Sequence, residues 1–317
     1  MASDFTLSRR KFLSLSSSLA ALSVISYPSL GLAEFYRIEN YFPATRNILE
    51  CNNEPVKSLD LLIEEYLEYQ LTVGGIATDE KISCSVYDLV QNKSLLGLLE
   101  DAPLQCASMV KPFIALAFFS KVTYENLSYG PASQEMMKRM IIQSDNDAAN
   151  WLLSRVGGPK ETDQLLWSYY GDIFQNLSLV EYIPTSPKTN GQTFRNKASA
   201  GDYRRFLTAL WEDRLPYGRE LLELMALPGA ADRIDFGIPQ ATVFNKTGST
   251  GHLCGDMGIV MGQNAQGINY AYSFVMIVES ALLHHLDYGF WISQRAEVIR
   301  DVSRLVHGEV IKELHNL

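Results

Sequence analysis

Hydrophobic periodicity changes twice along this chain, and the order of those changes restricts the folds open to it. From Lys81 to Leu89 the side chains alternate, Ile82, Cys84 and Val86 against Ser83, Ser85 and Tyr87, as in a half-buried strand. Asn92-Lys93 turns the chain, and Ser94 to Leu99 returns as its hairpin partner. From Ser108 to about 215 the apolar spacing is helical. Beyond it, Thr242 to Gly248, Asp256 to Gly262 and Tyr270 to Glu279 are short apolar runs divided by Gly and Asn. Strands at both ends around a helical middle predict an α/β (α+β) fold. Its antiparallel sheet is built from N- and C-terminal strands and flanked by helices at Val56–Tyr69 and Trp291–Leu314. An all-helical subdomain, residues 108–215, packs beside it. A cleft between insert and sheet follows from that layout.

Inside the insert, Ser133 to Gln143 sets Met136, Met137, Met140 and Ile141 at helical spacing, which reads as core filling. Asp147 to Val156 is a second helix, closed by Gly157-Gly158-Pro159, and Lys160 to Tyr170 a third. Pro184, Pro187, Asn190 and Gly191 argue against regular structure from Leu179 to Arg195. An irregular loop of that length inside a domain often carries function. Ser199 and Asp202 resemble a capping box opening a helix over Ala200–Trp211.

The chain has 317 residues, 47% of them apolar, enough for a large core in a single catalytic domain over residues 34–317. Its net charge of −9, with no basic stripe, argues against nucleic acid as a partner. Cys51, Cys84, Cys106 and Cys254 show no C-x-x-C spacing, and the five histidines form no ligand motif, so no metal or other cofactor is expected. Buried independent thiols are the expected state of Cys106 and Cys254, with a disulfide between them as the alternative. Residues 1–33 read as an address. Ser8-Arg9-Arg10-Lys11-Phe12-Leu13 is a twin-arginine pattern, followed by a short, Ser-diluted apolar stretch and the small residues of Gly31-Leu32-Ala33. Export to a periplasmic or extracellular compartment is expected, with no stable membrane anchor, as a monomer.

Three short motifs carry the chemistry. Ser108 precedes Lys111 by three positions at the start of an apolar helix, where the two side chains share one face. Serine needs a neighbour to take its proton, and a desolvated lysine can be that neighbour. Ser144-Asp145-Asn146 lies at a helix junction in the insert, and Lys246-Thr247-Gly248 on the first strand of the C-terminal group. Singly each is ordinary turn or strand chemistry. In this order, each on the expected element, the set resembles the penicillin-recognising serine acyltransferases, more narrowly the class A β-lactamases. Ser144-Asp145-Asn146-Asp147-Ala148-Ala149-Asn150 and Gly157-Gly158-Pro159-Lys160 extend the resemblance, which spans Leu59 to the C-terminus.

The resemblance implies a division of labour. Ser108 attacks the carbonyl, Lys111 accepts its proton, and Ser144 passes a proton to the leaving nitrogen. Lys246 and Thr247 fix the substrate carboxylate, Asn146 holds an acylamino side chain, and Asn150 braces the loop. Gly248 keeps the strand edge open to substrate. The backbone N–H groups of Ser108 and Ser249 would form the oxyanion hole.

Two departures from the family pattern bear on activity. Ser144 follows Ser108 by only 36 positions, shorter than is usual, so the aromatic gatekeeper of that stretch is missing and Tyr124 or Tyr129 is its candidate replacement. The deacylating glutamate is the second. Glu181 is the candidate, yet Tyr182 follows it where Pro is usual, and Thr185 stands at the Asn position. If Pro184 is instead the anchor, Ile183 occupies the catalytic place and no base exists. The leading expectation is a serine β-lactamase opening the lactam amide through a Ser108 acyl-enzyme. The alternatives are a D-alanyl-D-alanine peptidase acting on peptidoglycan stems, or a penicillin-binding protein that stays acylated. Arg195 and Lys197, at the end of the loop, read as structural pairing partners for acids.

Overall fold

A computed structural model describes residues 58–185, 194–227, 233–234, 238, 241–284 and 286–315. The export signal expected over residues 1–33 and Cys51 both lie outside the described residues.

Helix α1 (Leu59–Val73) starts at Ser58, whose side chain caps Leu61 N, and stops at Gly74, a left-handed position (φ 76°) suited to glycine. Strands β1 (Glu80–Asp88) and β2 (Lys93–Leu98) form the expected hairpin. Late in the chain come β5 (Thr242–Ser249), β6 (Leu253–Gln263), β7 (Asn269–Ser280) and helix α8 (Tyr288–His315). These strands form one five-stranded antiparallel sheet in the order β2-β1-β7-β6-β5. The β1–β7 pairing joins the early hairpin to the late strands.

Both faces of the sheet are covered. Cys84, Val86, Tyr272, Phe274 and Val278 pack under α1 and α8 with Ile63, Trp291, Ile299 and Val302. Alternate residues, Met257, Ile259, Val275 and Ile277, face the helical layer. This two-sided burial explains why β6 and β7 read as near-continuous apolar runs.

The helical layer comprises α2 (Lys111–Tyr124), α3 (Pro131–Ile142), α4 (Asn146–Val156), α5 (Pro159–Tyr170) and α6 (Ala200–Trp211). It continues past 215 into α7 (Gly218–Met225), which sequence periodicity did not mark. Helix α2 is its axis: every residue from Lys111 to Ser120 is buried. Phe113 stacks on Tyr203 (ring centroids 4.8 Å) and meets Phe174 and Phe206 edge-on. Ser199 and Asp202 form the expected capping box at α6. A two-residue ladder joins β3 (Leu104–Gln105) to β4 (Lys197–Ala198), tying the chain just before Ser108 to the end of the long loop. So short a pair carries no periodicity to read.

Candidate active site

Ser108 lies on a 3-10 turn (Ala107–Val110) between β3 and α2. Ala107 takes a left-handed φ of 45°, a strained conformation for a residue with a side chain, immediately before the serine. The turn is fixed from three directions. Cys106 N donates to Asn196 O (3.0 Å), Met109 N donates to Cys106 O (3.0 Å), and the buried Met109 side chain lies against β5 and β6.

That contact gives Gly248 a reason in packing. A Cβ there would meet Met109 Cγ at 3.0 Å, Ala107 Cβ at 3.1 Å and Cys106 O at 3.2 Å. Glycine is needed so that β5 can approach the turn carrying Ser108. Gly255 does the same one strand in: a Cβ there would lie 2.8 Å from Met109 Sδ.

Lys111 is fully buried at the mouth of α2. Its Nζ lies 3.0 Å from Ser108 Oγ, 3.0 Å from Ser144 Oγ and 2.7 Å from Asn146 Oδ1, and donates to Ser144 O. Burial, with the charge of Lys246 adding to it, lowers its pKa to about 7. The amine therefore reaches both serine hydroxyls and is neutral in a useful fraction near pH 7, as a proton acceptor must be.

Ser144 sits in a left-handed turn (φ 55°) between α3 and α4. Asp145 caps α4 by accepting from Ala148 N (3.0 Å) and pairs with Arg139. The Ala148 hydrogen bond first, and Arg139 after it, hold the Asp145 carboxyl below its usual pKa. Asn146 accepts from Lys111 through Oδ1 and donates to Pro184 O (2.7 Å) through Nδ2. One amide proton of Asn146 is left for a ligand.

On the sheet side, Lys246 is 5% exposed and donates to Thr247 O (3.1 Å). Burial lowers its pKa to about 8; Arg233 pushes the same way, while Asp256 opposes both. Arg233 escaped the sequence reading. It is buried, and its guanidinium donates to Gly248 O (2.9 Å), Gly255 O (2.5 Å) and Ser249 Oγ (2.5 Å). Beside it, buried Asp256 accepts from Ile234 N, Asn245 Nδ2 and Met257 N. Burial raises the Asp256 pKa to about 6 against the pull of Arg233. An arginine in a stretch rich in Gly and Pro has no local signal that would single it out.

A cavity of about 230 Å³ opens over Ser108. Asn146, Ile183, Thr185, Phe194 and Ser249 line it. Phe194 is its aromatic wall. Neither proposed gatekeeper reaches it: Tyr124 is exposed and stacks on Tyr169, and Tyr129 packs among Phe118, Phe119 and Tyr217 with its hydroxyl on Glu220.

Two asparagines hold the backbone of the long loop. Asn150 Nδ2 donates to Ile183 O (2.7 Å), and Ile183 N donates to Asn150 Oδ1 (2.8 Å). A second asparagine does the same two residues earlier: Asn196 donates to Glu181 O (2.9 Å) and accepts from Glu181 N (3.0 Å). The Ser-Asp-Asn helix thus grips Ile183, and Pro184 follows directly. The Glu181 carboxylate does not line the cavity; it accepts from Arg195 N (2.9 Å) and Arg195 Nε (3.0 Å). None of the cavity's described lining residues is a carboxylate, and residues 186–193 contain no Asp or Glu. Glu181 therefore stands outside the cluster that joins Ser108, Lys111, Ser144 and Asn146.

Cys84, Cys106 and Cys254 are free and buried, and burial raises the Cys106 thiol to about 12 and that of Cys254 to about 11.

Comparison with known proteins identifies the fold and the family. The model of the beta-lactamase enzyme family matches residues 131–310. No curated protein matches the sequence significantly. Among solved structures, a mutant of PBP-A as an acyl-enzyme complex with penicillin G superposes with a TM-score of 0.65 at 22% identity, covering 83% of this chain and 99% of that one. The TLA-1 extended-spectrum β-lactamase gives a TM-score of 0.65 at 18% identity, covering 80% and 98%. A class A β-lactamase mutant of the last common ancestor of Gram-negative bacteria gives 0.61 at 20% identity, covering 77% and 97%. With the family model spanning more than half its length and the fold shared with these structures, the chain belongs to the beta-lactamase enzyme family.

Proposed function

We propose that this chain is a penicillin-interacting serine acyltransferase, a D-alanyl-D-alanine peptidase or transferase, whose β-lactam acyl-enzyme is long-lived. Neutral Lys111 takes the Ser108 proton as Oγ attacks the substrate carbonyl. The oxyanion is met by the backbone N–H groups of Ser108 and Ser249. The C–N bond then breaks, with Ser144 protonating the leaving nitrogen and being reprotonated by Lys111, 3.0 Å away. Lys246 and Thr247 attract the substrate carboxylate, and Asn146 offers its remaining N–H to an acyl amide.

The observation carrying the peptidase reading over the lactamase one is the grip of Asn150 on Ile183. It supports an apolar side chain at the cavity wall where rapid hydrolysis needs a carboxylate to activate water. The second reading, an efficient β-lactamase, is supported by the family itself and would employ Glu181 after release from Arg195. Intact-mass measurement of the mature protein with benzylpenicillin separates the two. A single adduct on Ser108 that persists for many minutes is the expected result. Turnover with no lasting adduct, lost in Glu181→Gln, would restore the lactamase reading. Ile183→Glu should shorten the adduct lifetime by about 10²-fold or more, the usual worth of a placed general base.

The same proposal includes export directed by residues 1–33. The secreted protein should then begin beyond Ala33 on N-terminal sequencing.

A further inference from the structure

A second cavity, of about 430 Å³, adjoins the first and has no part in the chemistry above. Phe194 lines both cavities. The remaining boundary is Thr250, which lines the first and donates through Oγ1 to Gln105 Oε1 (3.1 Å) in the wall of the second. A substrate extending past Ser249 on the side of Phe194 runs into this space.

Its lining is charged: Lys81, Arg195 and Lys197 stand with the acids Glu279 and Asp79. The acids are committed to internal hydrogen bonds: Glu279 accepts from Gln105 N (3.0 Å), and Asp79 accepts from Ser280 Oγ (2.9 Å). Lys81 lies across the β1–β7 ladder from Glu279 yet forms no ion pair among the described residues, and neither does Lys197 on β4. Arg195 adds a third cation, paired with Glu181. Lys81 and Lys197 thus line one cavity with no ion pair among the described residues, and each ammonium can meet a ligand carboxylate.

We propose that this cavity is a subsite for a carboxylate carried on the acyl donor, upstream of the bond that Ser108 cleaves, and that Lys81 and Lys197 bind that carboxylate. The inference rests on the acyl-transfer reading and names its donor: an anionic peptide, rather than a compact apolar acyl group. The pairing expected for Lys197 with a protein acid is absent among the described residues, and a ligand carboxylate takes that place.

The test uses two synthetic peptides ending in D-Ala-D-Ala, identical except that the residue before that pair ends in a carboxylate or a carboxamide. The unmodified mature protein should acylate from the carboxylate peptide with kcat/KM about tenfold higher, equivalent to 1.4 kcal/mol. In the Lys81→Gln/Lys197→Gln double variant the ratio should fall to near one, while the rate of Ser108 labelling by benzylpenicillin stays unchanged. Equal rates with the unmodified protein overturn the subsite, as does a ratio that survives in the double variant. Two unused peptides with penicillin still labelling Ser108 overturn it too. Absence of any Ser108 adduct, with peptide or penicillin, instead removes the acyl-transfer reading on which it stands.

Discussion

Lys111 is the residue whose environment decides when this site can work. An ordinary lysine is almost wholly protonated at pH 7, whereas Lys111 is pulled to about 7 by burial and by Lys246. Acylation should therefore rise with pH through about 7 as the amine becomes neutral. It should fall again above about 8, where Lys246 loses the charge that attracts a substrate carboxylate. Stopped-flow labelling by a chromogenic cephalosporin across pH 5.5–10 would display both limbs; a flat profile would remove Lys111 as the base. Gly248 makes the complementary point about space. Gly248→Ala must displace Met109, Ala107 or the Cys106 carbonyl, all within 3.2 Å of the new methyl. Overpacking of this kind costs about 1–3 kcal/mol. Because the displaced group is the turn holding Ser108, labelling should slow along with the loss seen in urea unfolding.

Among elements, the loop ending at β4 departs furthest from what the sequence made legible. Two asparagines, on α4 and just before β4, hold its backbone at Ile183 and Glu181. Asn150→Ala leaves the Ile183 N–H and C=O without that partner, and unsatisfied buried groups cost about 1–3 kcal/mol each. Hydrogen exchange should quicken at residues 179–185, with α2 and β7 unchanged; uniform protection would refute the clamp. Local signals did read the hairpin at Asn92-Lys93 and the capping box at Ser199 and Asp202, because each depends on residues a few positions apart. The alignment of Glu181 depends on partners 15 and 33 residues away, where spacing within the loop carries no information. The role of Gly248 was hidden for the same reason: its constraint comes from Met109 across the cleft. Arg233 and the β3–β4 ladder likewise owe their importance to contacts that no nearby residue announces.

At the scale of the molecule, β1 and α8 are tied together on the sheet face away from the helical layer. Glu80 on β1 and Arg295 on α8 form a buried ion pair at 2.8 Å, joined by Trp291 Nε1 to the same carboxylate at 2.7 Å. Arg295→Ala leaves an almost fully buried carboxylate without its counter-charge, which costs about 3–5 kcal/mol. Urea midpoints should drop accordingly, while the folded fraction still labels at Ser108 at the native rate. A labelling rate that fell with stability would mean that the far face of the sheet positions the nucleophile. The near face has a different character. Helix α2 is buried from Lys111 through Ser120 and carries Lys111 at its first residue, so that amine cannot keep its environment once the core opens. If the adduct persists as proposed, one brief exposure to labelled penicillin marks each folded molecule once and leaves unfolded ones blank. The protein then supplies its own molecular tally, and the bound label counts the intact cores in a sample at any moment of unfolding.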